Sequence, residues 1–155
     1  MNAAHGPRAA TLAPEPSEDA PVRLPPIRVR TGAGEVAGFL RETGDAETGG
    51  FVPLTFPARW LALPAVRGAI LQLIGGSGFL PVHEAQSFAY ERELRIETCY
   101  VLAVEACRTA TPPRVILKMA VSTGEGETCA HLETVLRVVP LNLGDVPFGT
   151  AIKGC

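Results

Sequence analysis

The chain has 155 residues, 46% of them hydrophobic and 19% charged, with a formal net charge of −2. That is one domain with enough apolar material for a real core. It carries no basic footprint for nucleic acid and no apolar run of the roughly 18 residues a membrane span needs.

The four cysteines (Cys99, Cys107, Cys129, Cys155) form no Cys-x-x-Cys pair. The three histidines (His5, His83, His131) lie far from metal-ligand spacing, so no metal site is expected. Unpaired cysteines suit a reducing compartment. The N-terminus lacks the charged-then-apolar pattern of an export signal. A cytoplasmic protein is the expectation.

In chain order, residues 1–26 hold six of the fourteen prolines. Proline removes donors, and so little apolar surface cannot offset the entropy of ordering, so this stretch reads as a disordered proline-rich tail. Ile27 to Arg30 alternates apolar and basic residues, as a short strand does. Thr31 follows with a hydroxyl suited to capping a helix. Val36, Phe39 and Leu40 then share a helical face, which predicts a helix from about Ala33 to Glu42. Gly44 stands where a left-handed residue would end it, and Gly44 to Gly50 is a loop by composition.

From Phe56 to Ile74 the apolar spacing is helical and nearly continuous, the pattern of a helix buried on most sides. Pro64 interrupts it, because proline lacks an N–H and clashes with the preceding turn. Two consecutive helical pieces are therefore predicted, about Pro57 to Leu63 and Ala65 to Ile74. Gly75-Gly-Ser-Gly78 stops the second.

Beyond Leu80 the period changes from 3.6 to 2. Val82 to Arg95, Thr98 to Thr109, Arg114 to Thr123 and Thr128 to Val139 read as long strands. Val115, Leu117, Met119 and Val121 share one face of the third, and Ala130, Leu132, Thr134, Leu136 and Val138 one face of the fourth. Thr111-Pro-Pro113 and Gly124-Glu-Gly126 supply turns between them. Strand, helix, loop, buried helix and four long antiparallel strands is the order of an α+β hot-dog fold, a long antiparallel sheet wrapped around a central helix. The domain spans 27–140, with 141–155 as a C-terminal extension.

Residues Ile27 to Val139 resemble the MaoC-like dehydratase family, in particular its N-terminal, fatty-acid-synthase-type half. The resemblance rests on Val52-Pro-Leu-Thr-Phe56 leading into the central helix, and on Val82-His-Glu-Ala-Gln-Ser-Phe88 followed by Tyr90-Glu-Arg-Glu-Leu-Arg95. It implies a subunit acting on acyl thioesters of coenzyme A or acyl carrier protein. The implied reaction interconverts (3R)-hydroxyacyl and 2-enoyl thioesters, with no resident cofactor. Such chemistry needs an acid/base pair and a donor to polarise the thioester carbonyl.

Active members carry a Gly-Asp-x-Asn-Pro-x-His loop. The corresponding stretch here is Gly44-Asp-Ala-Glu-Thr-Gly-Gly50. Asp45 matches the family acid, but Gly50 stands in the histidine position. The resemblance therefore implies a non-catalytic or degenerate half, as a homodimer or a heterodimer with a catalytic hot-dog partner. Gly49, Gly50, Thr55, Phe56 and Trp60 are the expected substrate-binding residues, with Asp45 the surviving catalytic candidate.

Two other readings stand beside this one. An acyl-CoA thioesterase would need a carboxylate on or beside the central helix, and there is no Asp or Glu between Thr55 and Ile74. A non-enzymatic acyl-thioester binding or scaffold protein needs no acid/base pair at all.

Overall fold

The computed structural model describes residues 20–141. It contains β1 (Val22–Arg23), β2 (Ile27–Arg30), α1 (Ala33–Thr43), a 3-10 helix (Phe56–Ala62), α2 (Pro64–Ile74), β3 (Phe79–Tyr90), β4 (Cys99–Ala110), β5 (Pro113–Thr123) and β6 (Thr128–Pro140). All strands join one antiparallel sheet in the order β1-β4-β5-β6-β3, with β2 also pairing β4.

The two faces of the sheet divide as the alternation predicts. Val115, Leu117, Met119 and Val121 of β5 are buried, as are Ala130, Leu132, Thr134, Leu136 and Val138 of β6. They pack with Leu102, Val104 and Ala106 of β4 around Val66, Ile70, Leu73 and Ile74 of α2. His131 and Arg137 point the other way and are exposed.

Pro64 begins α2 and does not kink it. The first turn of a helix has N–H groups without intrahelical partners, so a residue lacking one loses nothing there. The segment before it is a tighter 3-10 helix. Only one face of α2 is buried, and Leu71 stays 50% exposed, against the expectation of burial on most sides. The last turn of α2 is closed by Arg108 of β4, whose guanidinium donates to Leu73 O at 2.9 Å. A cation there also complements the negative end of the helix dipole.

Two expectations about the strands are corrected. Val22–Arg23, placed in the tail, is a short strand paired with Ala106 and Glu105 of β4. Residues 1–19 and 142–155 lie outside the described residues. The first long strand runs from Phe79 to Tyr90, not from Val82 to Arg95. It accommodates Pro81 because β3 is an edge strand, where a missing N–H breaks no ladder.

Thr31 does not cap α1. The N-cap residue is Gly32, with no side-chain bond of its own. Glu97, in a loop 64 residues further along, instead accepts the Ala33 N–H at 2.5 Å and pairs with Arg30. The Ala33 N–H first, then Arg30, hold the Glu97 carboxyl below its usual range.

A second carboxylate is fixed by the sheet. Arg114 and Arg137 lie directly opposite each other on β5 and β6, where like charges repel. A bulge between His83 and Ala85 inserts Glu84 beside them. Glu84 accepts from Arg114 at 2.7 and 2.6 Å and from Arg137 at 2.9 Å. Arg114 first, then Arg137, lower its carboxyl from an ordinary 4.5 to about 2. The folded value is the lower one, so the contribution is full above about 4.5 and is lost as pH falls toward 2. Urea unfolding at pH 7 and pH 3 is expected to show a smaller pH difference for Glu84→Gln than for wild type. An unchanged difference would mean that the cluster does not contribute to acid sensitivity.

Candidate functional site

The loop from Gly44 to Thr55 connects α1 to the 3-10 helix and is tied down at several points. Gly44 ends α1 in the left-handed conformation, φ 73°. Gly49 and Gly50 turn the chain with φ of 65° and 91°, values that side-chain-bearing residues rarely adopt. Ile96 N–H then bonds Gly50 O at 3.0 Å, and Val52 N–H bonds Leu94 O at 2.8 Å. Thr48 Oγ donates to Phe51 O. Tyr90, on β3, donates its hydroxyl to Leu54 O at 2.6 Å. Burial pushes that hydroxyl up to about 12, so it stays protonated and acts as a pin.

Against this loop lies a pocket of about 210 Å³. Ala33, Val36, Ala37 and Leu40 of α1 line it together with Ile96, and Glu47, Thr48, Gly49 and Gly50 complete it. Its wall is apolar on the helix side and backbone-rich on the loop side. Such a wall can hold a short apolar chain beside main-chain donors.

The predicted site residues divide between places. Gly49 and Gly50 line this pocket. Asp45 does not: its carboxylate lies 2.7 Å from Thr43 Oγ, and its N–H bonds Leu40 O at 3.1 Å, which makes it part of the helix end. Phe56 and Trp60 are buried, 2% and 5% exposed, and border a different cleft with Arg28, Arg30 and Arg59. Thr55 precedes the 3-10 helix without a side-chain capping bond and lines neither cavity. Glu47, by contrast, is among the residues that line the pocket.

His83 is exposed on β3, and His131 lies on the outer face of the sheet, 3.7 Å from Glu91. That face carries a shallow hollow of about 370 Å³ floored by Ala89, Ala103 and Ala120. Of the cysteines, Cys99 is exposed, Cys107 half-buried and Cys129 buried, and burial raises the Cys129 thiol. Among the described residues, no group of His, Cys, Asp or Glu is arranged to hold a metal, and no helix is long and apolar enough to cross a membrane.

No protein-family model matches the chain, and no curated protein matches it significantly. Solved structures do. The C-terminally truncated HadBC (3R-hydroxyacyl-ACP dehydratase) complex from Mycobacterium tuberculosis aligns with a TM-score of 0.59 at 13% identity, over 77% of this chain and 95% of that one. A hot-dog-like protein from Thermanaerovibrio acidaminovorans gives 0.57 at 16%, over 82% and 86%. A probable thioesterase from Bartonella henselae gives 0.50 at 14%, over 75% and 90%. At these identities the likeness concerns the fold, and with the strand order and α2 packed by one face against the sheet it establishes that this chain has the α+β hot-dog fold.

Proposed function

We propose that the chain is an acyl-thioester hydratase/dehydratase-like subunit, interconverting (3R)-hydroxyacyl and 2-enoyl thioesters. In this reading it is the binding half of a pair whose acid and base come from a catalytic hot-dog partner. One observation carries the reading. The loop bordering the 210 Å³ pocket places glycine, not histidine, at position 50, while Asp45 is turned back onto Thr43. The pocket is formed, but the general acid/base pair that water addition needs is incomplete.

Two further observations support a partner. β3 is a sheet edge, unpaired on its outer side among the described residues. Leu80 and Val82 on it are 48% and 47% exposed, and Leu71 of α2 is 50% exposed. Apolar side chains beside an unpaired edge suit a second sheet. The similar HadBC structure is itself that of a complex.

The test is hydration of crotonyl-CoA, followed by loss of enoyl absorbance. The purified chain alone is expected to bind the thioester and turn it over negligibly. Asp45→Asn is expected to leave that behaviour unchanged. Robust turnover by the chain alone, abolished by Asp45→Asn, would overturn the degenerate-half reading.

The hydrolase alternative keeps one specific point in its favour, the presence of Glu47 in the lining of the pocket. Free thiol released from crotonyl-CoA, and lost in Glu47→Gln, would establish it.

A further inference from the structure

A second cavity, of about 340 Å³, lies between β2 and the 3-10 helix. That is the lower end of the size range of small-molecule sites. Three consecutive residues of β2 (Arg28, Val29, Arg30) line it, so this short strand presents an edge to it. β2 pairs only with β4 among the described residues, which leaves backbone donors on its other edge. Phe56, Trp60 and Leu63 form the apolar side.

The charges at this cleft are unbalanced. Arg30 is neutralised by Glu97. Arg28 and Arg59 form neither an ion pair nor a side-chain hydrogen bond with any described residue; the Arg59 guanidinium only rests over the Phe56 ring, 5.7 Å from its centroid. Glu35 is the one carboxylate in the lining. Arg28 and Arg59, exposed and without an ion-pair partner among the described residues, therefore both line a concave, partly aromatic site that holds the single carboxylate of Glu35, in a chain whose net charge is −2. Guanidinium forks match phosphate oxygens in geometry as well as charge.

We infer that this cleft is a phosphate-recognition site, and that it takes the phosphorylated nucleotide end of a coenzyme A thioester. The choice of coenzyme A rests on the proposed acyl-thioester function. The cleft and the 44–50 pocket border the same helix, α1, through Glu35 on one side and Ala33, Val36 and Ala37 on the other. A ligand with a phosphorylated head and a thioester tail has its two chemistries met at these two cavities. A concave site with aromatic walls also suits a nucleotide better than the acidic surface of a carrier protein, which a flat basic patch would serve.

Trp60 is the only tryptophan of the chain and lines the cleft, so its fluorescence reports occupancy directly. The experiment titrates the full-length protein with adenosine 3′,5′-bisphosphate, coenzyme A, inorganic phosphate and crotonyl-pantetheine, with Trp60 fluorescence reading the cleft and isothermal titration calorimetry reading crotonyl-pantetheine, whose pocket holds no tryptophan. A saturable change with the two nucleotides is expected, and Arg28→Gln or Arg59→Gln should weaken it about tenfold or more. Both arginines are exposed, and circular dichroism checks that the variants fold.

Three results would overturn the site: no nucleotide binding, nucleotide binding indifferent to both substitutions, or inorganic phosphate binding as tightly as the nucleotides. The pantetheine arm separates this inference from the function it rests on. Crotonyl-pantetheine bound without the nucleotide sinks the cleft and leaves the acyl reading standing. Nucleotide bound without crotonyl-pantetheine sustains the cleft and sinks the acyl reading.

Discussion

Replacing Phe56 with alanine is expected to destabilise the protein by about 4 kcal/mol, the usual range for removing a buried phenyl ring. Phe56 is 2% exposed. Its ring meets Phe39 of α1 edge-on at 5.4 Å and Trp60 at 6.4 Å. Such aromatic pairs add to the area they bury. Phe56 thereby joins three elements that the chain visits separately: α1, the 3-10 helix and, through Trp60, the approach to α2.

Phe56→Leu keeps most of the apolar volume and is expected to recover more than half of the loss. Urea unfolding followed by far-UV circular dichroism measures both. The sequence motif around Phe56 suggested a substrate wall, and this experiment tests that assignment. If Phe56→Ala lost ligand affinity while costing less than about 1 kcal/mol of stability, the ring would be a binding element and not a keystone of the core.

What could be read from the sequence was mostly local. The two faces of β5 and β6 follow from a period of two within each strand, and no other part of the chain is needed to see them. Gly44 ending α1 and Pro64 separating two helical pieces are likewise written within a few residues. The features that were missed depend on distant chain segments. Val22–Arg23 is too short to show a period and sits between prolines; it is a strand because β4 lies beside it. Pro81 reads as a strand breaker until β3 is known to be an edge.

The site divides in the same way. Gly49 and Gly50 were legible as a tight loop, and that loop does border a pocket. The grouping of Phe56 and Trp60 with them did not hold, because the 3-10 helix turns those rings toward β2. Arg28 and Arg59 stand 31 positions apart, on elements of different kinds, and no spacing rule connects them. Glu97 as the helix-capping carboxylate was invisible for the same reason.

Thr31→Val is expected to destabilise the fold by about 3 kcal/mol, roughly the cost of leaving one buried donor and one buried acceptor unpaired. Thr31 has no exposed surface. Its Oγ lies 2.6 Å from Arg95 O and accepts the Thr98 N–H at 3.2 Å. Its backbone joins the same loop, with the Thr31 N–H donating to Thr98 O at 3.0 Å and the Glu97 N–H donating to Thr31 O at 2.6 Å. Thr31 thus anchors the 95–98 turn, in which Glu97 holds a left-handed φ of 60°. That turn presents the carboxylate that caps α1. Valine matches threonine in shape, so the effect isolates the hydroxyl.

Two companion substitutions separate this role from the helix cap the sequence suggests. Thr31→Ser keeps the hydroxyl and is expected to lose about 1 kcal/mol, for one methyl group. Thr31→Asp is decisive, because aspartate caps helices at least as well as threonine. If residue 31 were a cap, Thr31→Asp would retain stability. In a fully buried position facing the carbonyl oxygens of Arg95 and Thr98, a carboxylate would instead be repelled and desolvated, and a loss exceeding that of valine is expected. Wild-type stability in Thr31→Asp would restore the capping role and remove Thr31 from the turn's support.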